Sequence, residues 1–362
     1  MGPIGGTSPW RMVVSLGVLI AIAACSSTAT PPSDAASRVT APSAARSGES
    51  SAAPGSTEAE VVLAGEPWIA FQQFTGKSTV MLVRPDGSGL HSPTADVPGG
   101  DQTNPDWSPD GSRLVFVVAA GGSEVLWVVN ADGSGARLLA DCPKGCLWVD
   151  DPDWSPDGRT VLFSRVSEGA DGAAIGTLEQ VDVESGAVSV LVQAAAGHFY
   201  AGQRWSPDGT SIVLEIVALA GAPIDSDVES VSLAIIDVAS PTTAGRELLG
   251  NGRFPETASW APDGSGIIFA ALEQAGSLSG TDLYAIRPDG SGLRRLTKLG
   301  EDGGSATHPE VTAGGTSIVF VATGSGAEES GLGQVSIEGG EITPATGSEF
   351  IDGVHPRMRP QP

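Results

Sequence analysis

Lysine and tyrosine are almost missing from this 362-residue chain, which has three lysines (Lys77, Lys144, Lys298) and two tyrosines. Histidine is scarce at four residues, and aromatic residues together make up 5%. With 19 Lys and Arg against 43 Asp and Glu, the formal net charge is −24. This shortage of cations argues against a nucleic-acid partner, because non-specific nucleic-acid affinity comes from neutralising phosphates. It also leaves no polybasic patch for anionic lipid. Charged residues amount to 17%, so long charged helices are not the main building material. Turn chemistry is abundant instead: 49 Gly and 26 Pro are about a fifth of the chain, above average usage. These numbers describe a turn-rich, acidic, extracytoplasmic β protein and name no reaction.

The N-terminus reads as an address and an anchor. Arg11 precedes an apolar run from Met12 to Ala24, too short to span a bilayer as a helix but suited to a signal-peptide core. The run ends in Ile22-Ala23-Ala24-Cys25, which resembles the lipobox of bacterial lipoproteins. That resemblance implies a signal peptide over 1–24 and a covalent lipid on the Cys25 thiol. Removing Arg11 leaves 18 basic and 43 acidic residues, or −25. Residues 26–60 hold 9 Ser, 9 Ala, 4 Thr and 4 Pro, with no aromatic residue and one branched aliphatic, Val39. Such a stretch cannot bury enough apolar surface to offset the entropy of ordering. Residues 25–60 are therefore expected to be the lipidated cysteine and a disordered tether, leaving 61–362 as one domain.

That domain is a repeat. Asn104-Pro105-Asp106-Trp107-Ser108-Pro109-Asp110-Gly111 recurs as Asp151-Pro152-Asp153-Trp154-Ser155-Pro156-Asp157-Gly158. It returns at Arg204-Trp205-Ser206-Pro207-Asp208-Gly209 and Ser259-Trp260-Ala261-Pro262-Asp263-Gly264. His308-Pro309-Glu310-Val311 opens a decayed copy, and His355-Pro356-Arg357-Met358 ends the chain on another. Marker positions 107, 154, 205, 260, 311 and 358 are spaced by 47, 51, 55, 51 and 47 residues, a propeller-blade period. In each full copy Pro-Asp-Gly supplies a tight turn. Nine residues past each marker stand Phe116, Phe163, Leu214, Phe269 and Phe320, within short apolar strands. Further strands and an Asp-Gly-Ser-Gly turn, as at 132–135 and 289–292, complete four strands per repeat.

The fold class expected is all-β: a six-bladed propeller of four-stranded antiparallel blades. Residues 68–94 hold a blade without its opening strand, and 355–360 hold an opening strand without its blade. The tail is therefore expected to complete the first blade and close the ring. Val61-Val62-Leu63 is the competing source of that strand, because Val62 stands nine residues before Phe71. The repeats from about Trp68 to Pro360 resemble the TolB-type β-propeller repeat. That resemblance implies a propeller that binds protein partners in the cell envelope through one rim and its channel mouth. Two departures from TolB-like proteins of the translocation system are expected: a tether in place of an α/β domain before the propeller, and a lipid anchor.

Few residues point to chemistry. No Gly-x-Ser-x-Gly pentapeptide is present, which argues against the serine hydrolases that carry such propellers. His91, His198, His308 and His355 include no pair within five residues, so no metal motif is expected. His308 and His355 read as repeat residues at a loop. Asp151 and Asp153, with Asp150, could hold a Ca ion, as channel carboxylates of six-bladed lactonases do. Turn capping by Asp before Pro is the plainer reading. Cys142 and Cys146 are expected to form a local disulfide. The repeated Trp residues are inter-blade packing. Trp148, Phe199 and Tyr200, in loops leading to opening strands, are with Asp151, Asp153, Arg204, His308 and Arg357 the binding candidates at the channel mouth. The resulting expectation is a monomeric, membrane-anchored lipoprotein whose propeller binds an envelope protein or cell-wall partner. It is non-catalytic and needs no cofactor. A Ca-dependent hydrolase or lactonase is the alternative, and a carbohydrate lectin a third reading.

Overall fold

The computed structural model describes residues 65–361 apart from 121, 170–171, 222–226, 251, 274–279 and 325–329. The segments expected to be signal peptide and tether, with Cys25 and Val61–Leu63, lie outside the described residues. Six antiparallel sheets follow one another around a ring. Blade 2 consists of Gln102–Trp107, Arg113–Ala120, Ser123–Asn130 and Arg137–Ala140, in that order from the channel outward. Blades 3, 4, 5 and 6 repeat this meander from inner strands Cys146–Trp154, His198–Trp205, Glu256–Trp260 and Ser305–Val311. In blade 1 the inner strand is Val354–Met358, paired antiparallel with Ile69–Phe74, which in turn pairs with Ser78–Val83. The tail therefore closes the ring. The fourth strand of blade 1 is reduced to a bridge in which Leu82 and His91 exchange backbone hydrogen bonds of 2.7 and 3.0 Å. Pro93 follows two residues later and has no N–H to extend a ladder. Among the described residues no helix is long and apolar enough to cross a membrane.

Each turn after a marker is held locally. Ser108 Oγ donates to Asp110 Oδ1 at 2.6 Å, Gly111 N donates to Ser108 O at 2.7 Å, and Arg113 N donates to Ser108 Oγ at 2.9 Å. Gly111 sits at φ 63°, a conformation that costs glycine little. The hydroxyl and backbone donors around Asp157 and Asp208 hold both carboxyls below the ordinary range.

The core lies between blades. Phe71, Phe116, Phe163, Leu214, Phe269 and Phe320 occupy one column of the second strands, and all are fully buried. Trp107, Trp154 and Trp260 are buried against the neighbouring sheet, and Trp205 packs partly buried in the same way. Arg113 stacks 4.7 Å over Trp154, and Arg359 stacks 5.4 Å over Trp107. Arg359 also donates to Gly111 O at 2.8 Å, tying the tail to blade 2.

Candidate functional site: the polar channel

Every inner strand is an edge strand facing the channel, so part of its backbone would be left without a partner, and buried N–H groups need one. Side chains of the preceding blade supply the acceptors. One residue before each marker stand Arg357, Asp106, Asp153, Arg204, Ser259 and Glu310, in ring order. Trp154 N donates to Asp106 Oδ2 at 2.8 Å, Trp205 N to Asp153 Oδ2 at 2.7 Å, and Val311 N to Ser259 Oγ at 3.2 Å. This explains why polar residues recur there in an otherwise apolar repeat.

The same layer balances its own charge. Arg357 and Arg204 stand three blades apart, each beside carboxylates. Arg357 Nε lies 3.7 Å from Asp106 Oδ1 and its Nη1 3.8 Å from Glu310 Oε2, while Arg204 Nε lies 3.7 Å from Asp153 Oδ1. Both guanidiniums are more than nine-tenths buried, where an unpaired charge would be very costly. Burial pushes Asp106 up to about 6 and Glu310 up to about 8. Burial and the nearby Asp106 raise Asp153 well above the usual carboxylate range.

Three residues before each marker lies a second layer: His355, Asn104, Asp151, Gly202, Thr257 and His308. All six have φ between 45° and 57°, and the strand registers slip at these positions, so each is a β-bulge. Left-handed backbone is unusual for non-glycine residues, above all for β-branched Thr257. The bulge residues also cap backbone across blades. Gly202 N donates to Asp151 Oδ2 at 2.9 Å, and His308 N donates to Thr257 Oγ1 at 3.1 Å. Gly202 has no side chain to continue the series. Glu215, from the second strand of blade 4, reaches into that space, and its Oε1 accepts from Thr257 N. A Cβ on Gly202 would stand 3.1 Å from Glu215 Cδ.

On the other side of this layer the rings of His308 and His355 meet, with centroids 3.9 Å apart. Burial lowers the His355 imidazole to about 3, and burial with the neighbouring His355 lowers His308 well below its ordinary value. Both are therefore neutral near pH 7. Glu215 and Glu256 are raised to about 8 by burial, with Glu215 adding to the effect on Glu256. Asp150, which accepts from Asn104 Nδ2, is raised well above the ordinary range by burial and then by Asp151.

The fold brings together Asp151, Asp153, Arg204, His308 and Arg357, five of the residues singled out in the sequence. Asp151 and Asp153 are not turn caps. They lie in a strand and accept N–H groups from the next blade, because their repeat positions face an unpaired sheet edge. His308 and His355 are not at a loop either, since they occupy inner-strand bulges whose matching register makes them touch across 47 residues of sequence. The aromatic candidates do not join them. The inner strands begin earlier than expected, at Cys146 and His198, so Trp148, Phe199 and Tyr200 are strand residues. Trp148 and Phe199 pack edge to face, with centroids 6.0 Å apart, in a cluster with Val166, Ala174 and Val217. Tyr200 is 1% exposed and donates its hydroxyl to Thr243 O at 2.8 Å. Cys142 and Cys146 are joined by a disulfide with Cα atoms 5.3 Å apart, at the start of blade 3's inner strand. Asn104, Glu215, Ser259 and Glu310 were not singled out, although aligning the repeats on the marker places all but Glu215 in the channel columns.

The TolB beta propeller domain model matches residues 65–299, more than half of the chain. A 37-residue segment is 57% identical to the Tol-Pal system protein TolB of Anaeromyxobacter dehalogenans, covering 10% of this chain and 8% of that relative's length. The structure of TolB from Acinetobacter baumannii superposes with a TM-score of 0.60 at 17% identity, covering 81% of this chain and 67% of that one. Kuenenia stuttgartiensis hydrazine synthase gives 0.59 at 14% identity, covering 82% and 46%. Likeness at such low identity speaks for the fold alone. Taken with the six blades and the repeated Trp-Ser-Pro-Asp-Gly turns, the family match over residues 65–299 means that the chain belongs to the TolB β-propeller family.

Proposed function

We propose that this protein is an extracytoplasmic lipoprotein whose propeller serves as a non-catalytic binding module for an envelope protein or cell-wall partner. In this reading residues 1–24 are the signal peptide, Cys25 carries the lipid, 25–60 form the tether and 61–362 the monomeric propeller. The observation that carries the binding role is the family match together with the segment shared with a Tol-Pal system protein. The channel geometry supports the absence of catalysis. Asp106, Asp151, Asp153 and Glu215 already accept backbone N–H groups, and Asp106, Asp153 and Glu310 face guanidiniums. A general acid or base needs reach to a substrate proton, whereas these groups are engaged in joining blades.

The test is in-cell crosslinking followed by mass spectrometry, with the Cys25→Ala variant alongside. One dominant envelope partner, weakened without the anchor, is the expected result. Recovery of the protein alone from both strains would refute the binding role. Metabolic labelling with a fatty acid reads the anchor separately, and unchanged labelling of Cys25→Ala would refute lipidation at that residue.

A further inference from the structure

We infer that the bulge layer of the channel is a binding site for an ammonium group, –NH3+, whether on a free primary amine or on a lysine side chain. The carboxyl groups of Asp150, Asp151, Glu215 and Glu256 belong to this layer, and its six repeat positions contain no Lys or Arg. The two guanidiniums lie in the other layer, beside its own carboxylates. Two buried atoms in the bulge layer are also left without a hydrogen-bond partner: Asn104 Oδ1 and His355 Nε2, in residues 4% and 3% exposed. Buried polar atoms of native proteins are nearly always satisfied, and an exception calls for an explanation. Asn104 directs its Nδ2 to Asp150 and Asp151, which leaves its oxygen to accept. The neutral His355 ring leaves Nε2 open to a donor.

Neutral acceptors beside carboxyl groups with no cation in their own layer suit a cation that donates hydrogen bonds, and its entry would favour the charged form of those carboxyls. An ammonium group has three donors and is slim enough for a narrow channel. The layer is reachable because Glu256 and Thr257 are only half-buried. A metal ion suits it less well, since no three His, Cys, Asp or Glu side chains among the described residues converge as metal ligands do. The site stands independently of the protein-binding reading, because a free amine would fill it as well as a partner's lysine.

The chain's four histidines make their imidazole proton resonances a direct probe. The full-length protein in detergent is titrated with propylammonium chloride at constant ionic strength, with tetramethylammonium as a control of equal charge and no donors. Saturable shifts of the His308 and His355 resonances with propylammonium only are expected, weakened about fivefold or more in Glu256→Gln. The Glu256 side chain makes no hydrogen bond among the described residues, and circular dichroism verifies that the variant folds. A Gly-Gly-Lys-Gly-Gly peptide and its Nε-acetylated form separate the sources. Shifts with the free lysine peptide identify a protein lysine, whereas shifts with propylammonium alone identify a small amine. Unmoved resonances, equal shifts with tetramethylammonium, or shifts with calcium or manganese but not propylammonium would each overturn the proposal. A partner found by crosslinking alongside unmoved resonances would leave the binding role intact and remove this site.

Discussion

Gly202 gives the sharpest test of how the channel is built. Five of the six bulge positions carry a side chain, and at the sixth the Glu215 carboxylate takes its place, accepting from Thr257 N. Gly202→Ala puts a methyl group at φ 57°, 3.1 Å from Glu215 Cδ and 3.6 Å from Thr257 Cα. The left-handed conformation costs alanine about 1–2 kcal/mol. Displacing Glu215 leaves the part-buried Thr257 N–H without its acceptor, at about 1–3 kcal/mol. Restricting the unfolded chain returns about 0.4–1 kcal/mol. The net loss should be about 1–4.6 kcal/mol, read as a lower urea midpoint at unchanged slope. The decisive variant is the double one, Gly202→Asp with Glu215→Ala. Asp151 shows at φ 50° that an aspartate in this column can cap the next blade, so the new carboxylate should accept from Thr257 N. Gly202→Asp alone should be the least stable of the set, with two carboxylates competing for one space. The double variant should recover at least about 1 kcal/mol relative to the sum of its single changes. Additive losses, or a Gly202→Ala protein as stable as the parent, would show that Glu215 does not stand in for the missing side chain.

Three further outcomes follow from the same geometry. Asp153→Ala removes both the acceptor for Trp205 N and the carboxylate beside Arg204; the stranded buried charge should cost about 3–5 kcal/mol in urea unfolding, and a loss below about 1 kcal/mol would refute the pairing. Stability should also depend on pH in two opposing ways. Glu215, Glu256 and Glu310, raised to about 8, contribute stability that is complete below the unfolded carboxyl value of about 4.5 and is lost as pH rises through 8. His308 and His355, both lowered, contribute stability that is complete above about 6.5 and is lost as pH falls. Because three glutamates oppose two histidines, and Asp106, Asp150 and Asp153 are raised as well, melting temperature should be highest near about pH 4.5 and fall as pH rises, with Glu310→Gln flattening the alkaline fall; a rise in melting temperature from pH 6.5 to 9 would contradict the assignment. Deleting residues 354–362 strips blade 1 of its inner strand and the Arg359 ties, and should abolish cooperative unfolding by calorimetry, whereas an intact transition would mean another segment can close the ring.

The fold was legible in the sequence for a physical reason. Turn chemistry is local, so Pro-Asp-Gly after each Trp marks the period without knowledge of any long-range contact. The tail at 355–360 was legible because an opening strand alone has nothing to stack on. The channel was harder to read because its chemistry is carried by contacts between blades. His308 and His355 share no local motif, yet the common bulge register puts their rings 3.9 Å apart. Asp151 and Asp153, on either side of Pro152, read as turn chemistry because Asp beside Pro often is, and only the sheet edge explains their actual role. The column one residue before the marker, reading Asp, Asp, Arg, Ser, Glu, Arg along the chain, does carry the signal of a ring that balances its own charge. Glu215 leaves no such trace. Its strand position is apolar-facing in the period of its own blade, and the vacancy it fills is a glycine 13 residues earlier. A repeat can therefore reveal where side chains are needed, while a replacement that reaches in from a second strand is visible only in three dimensions.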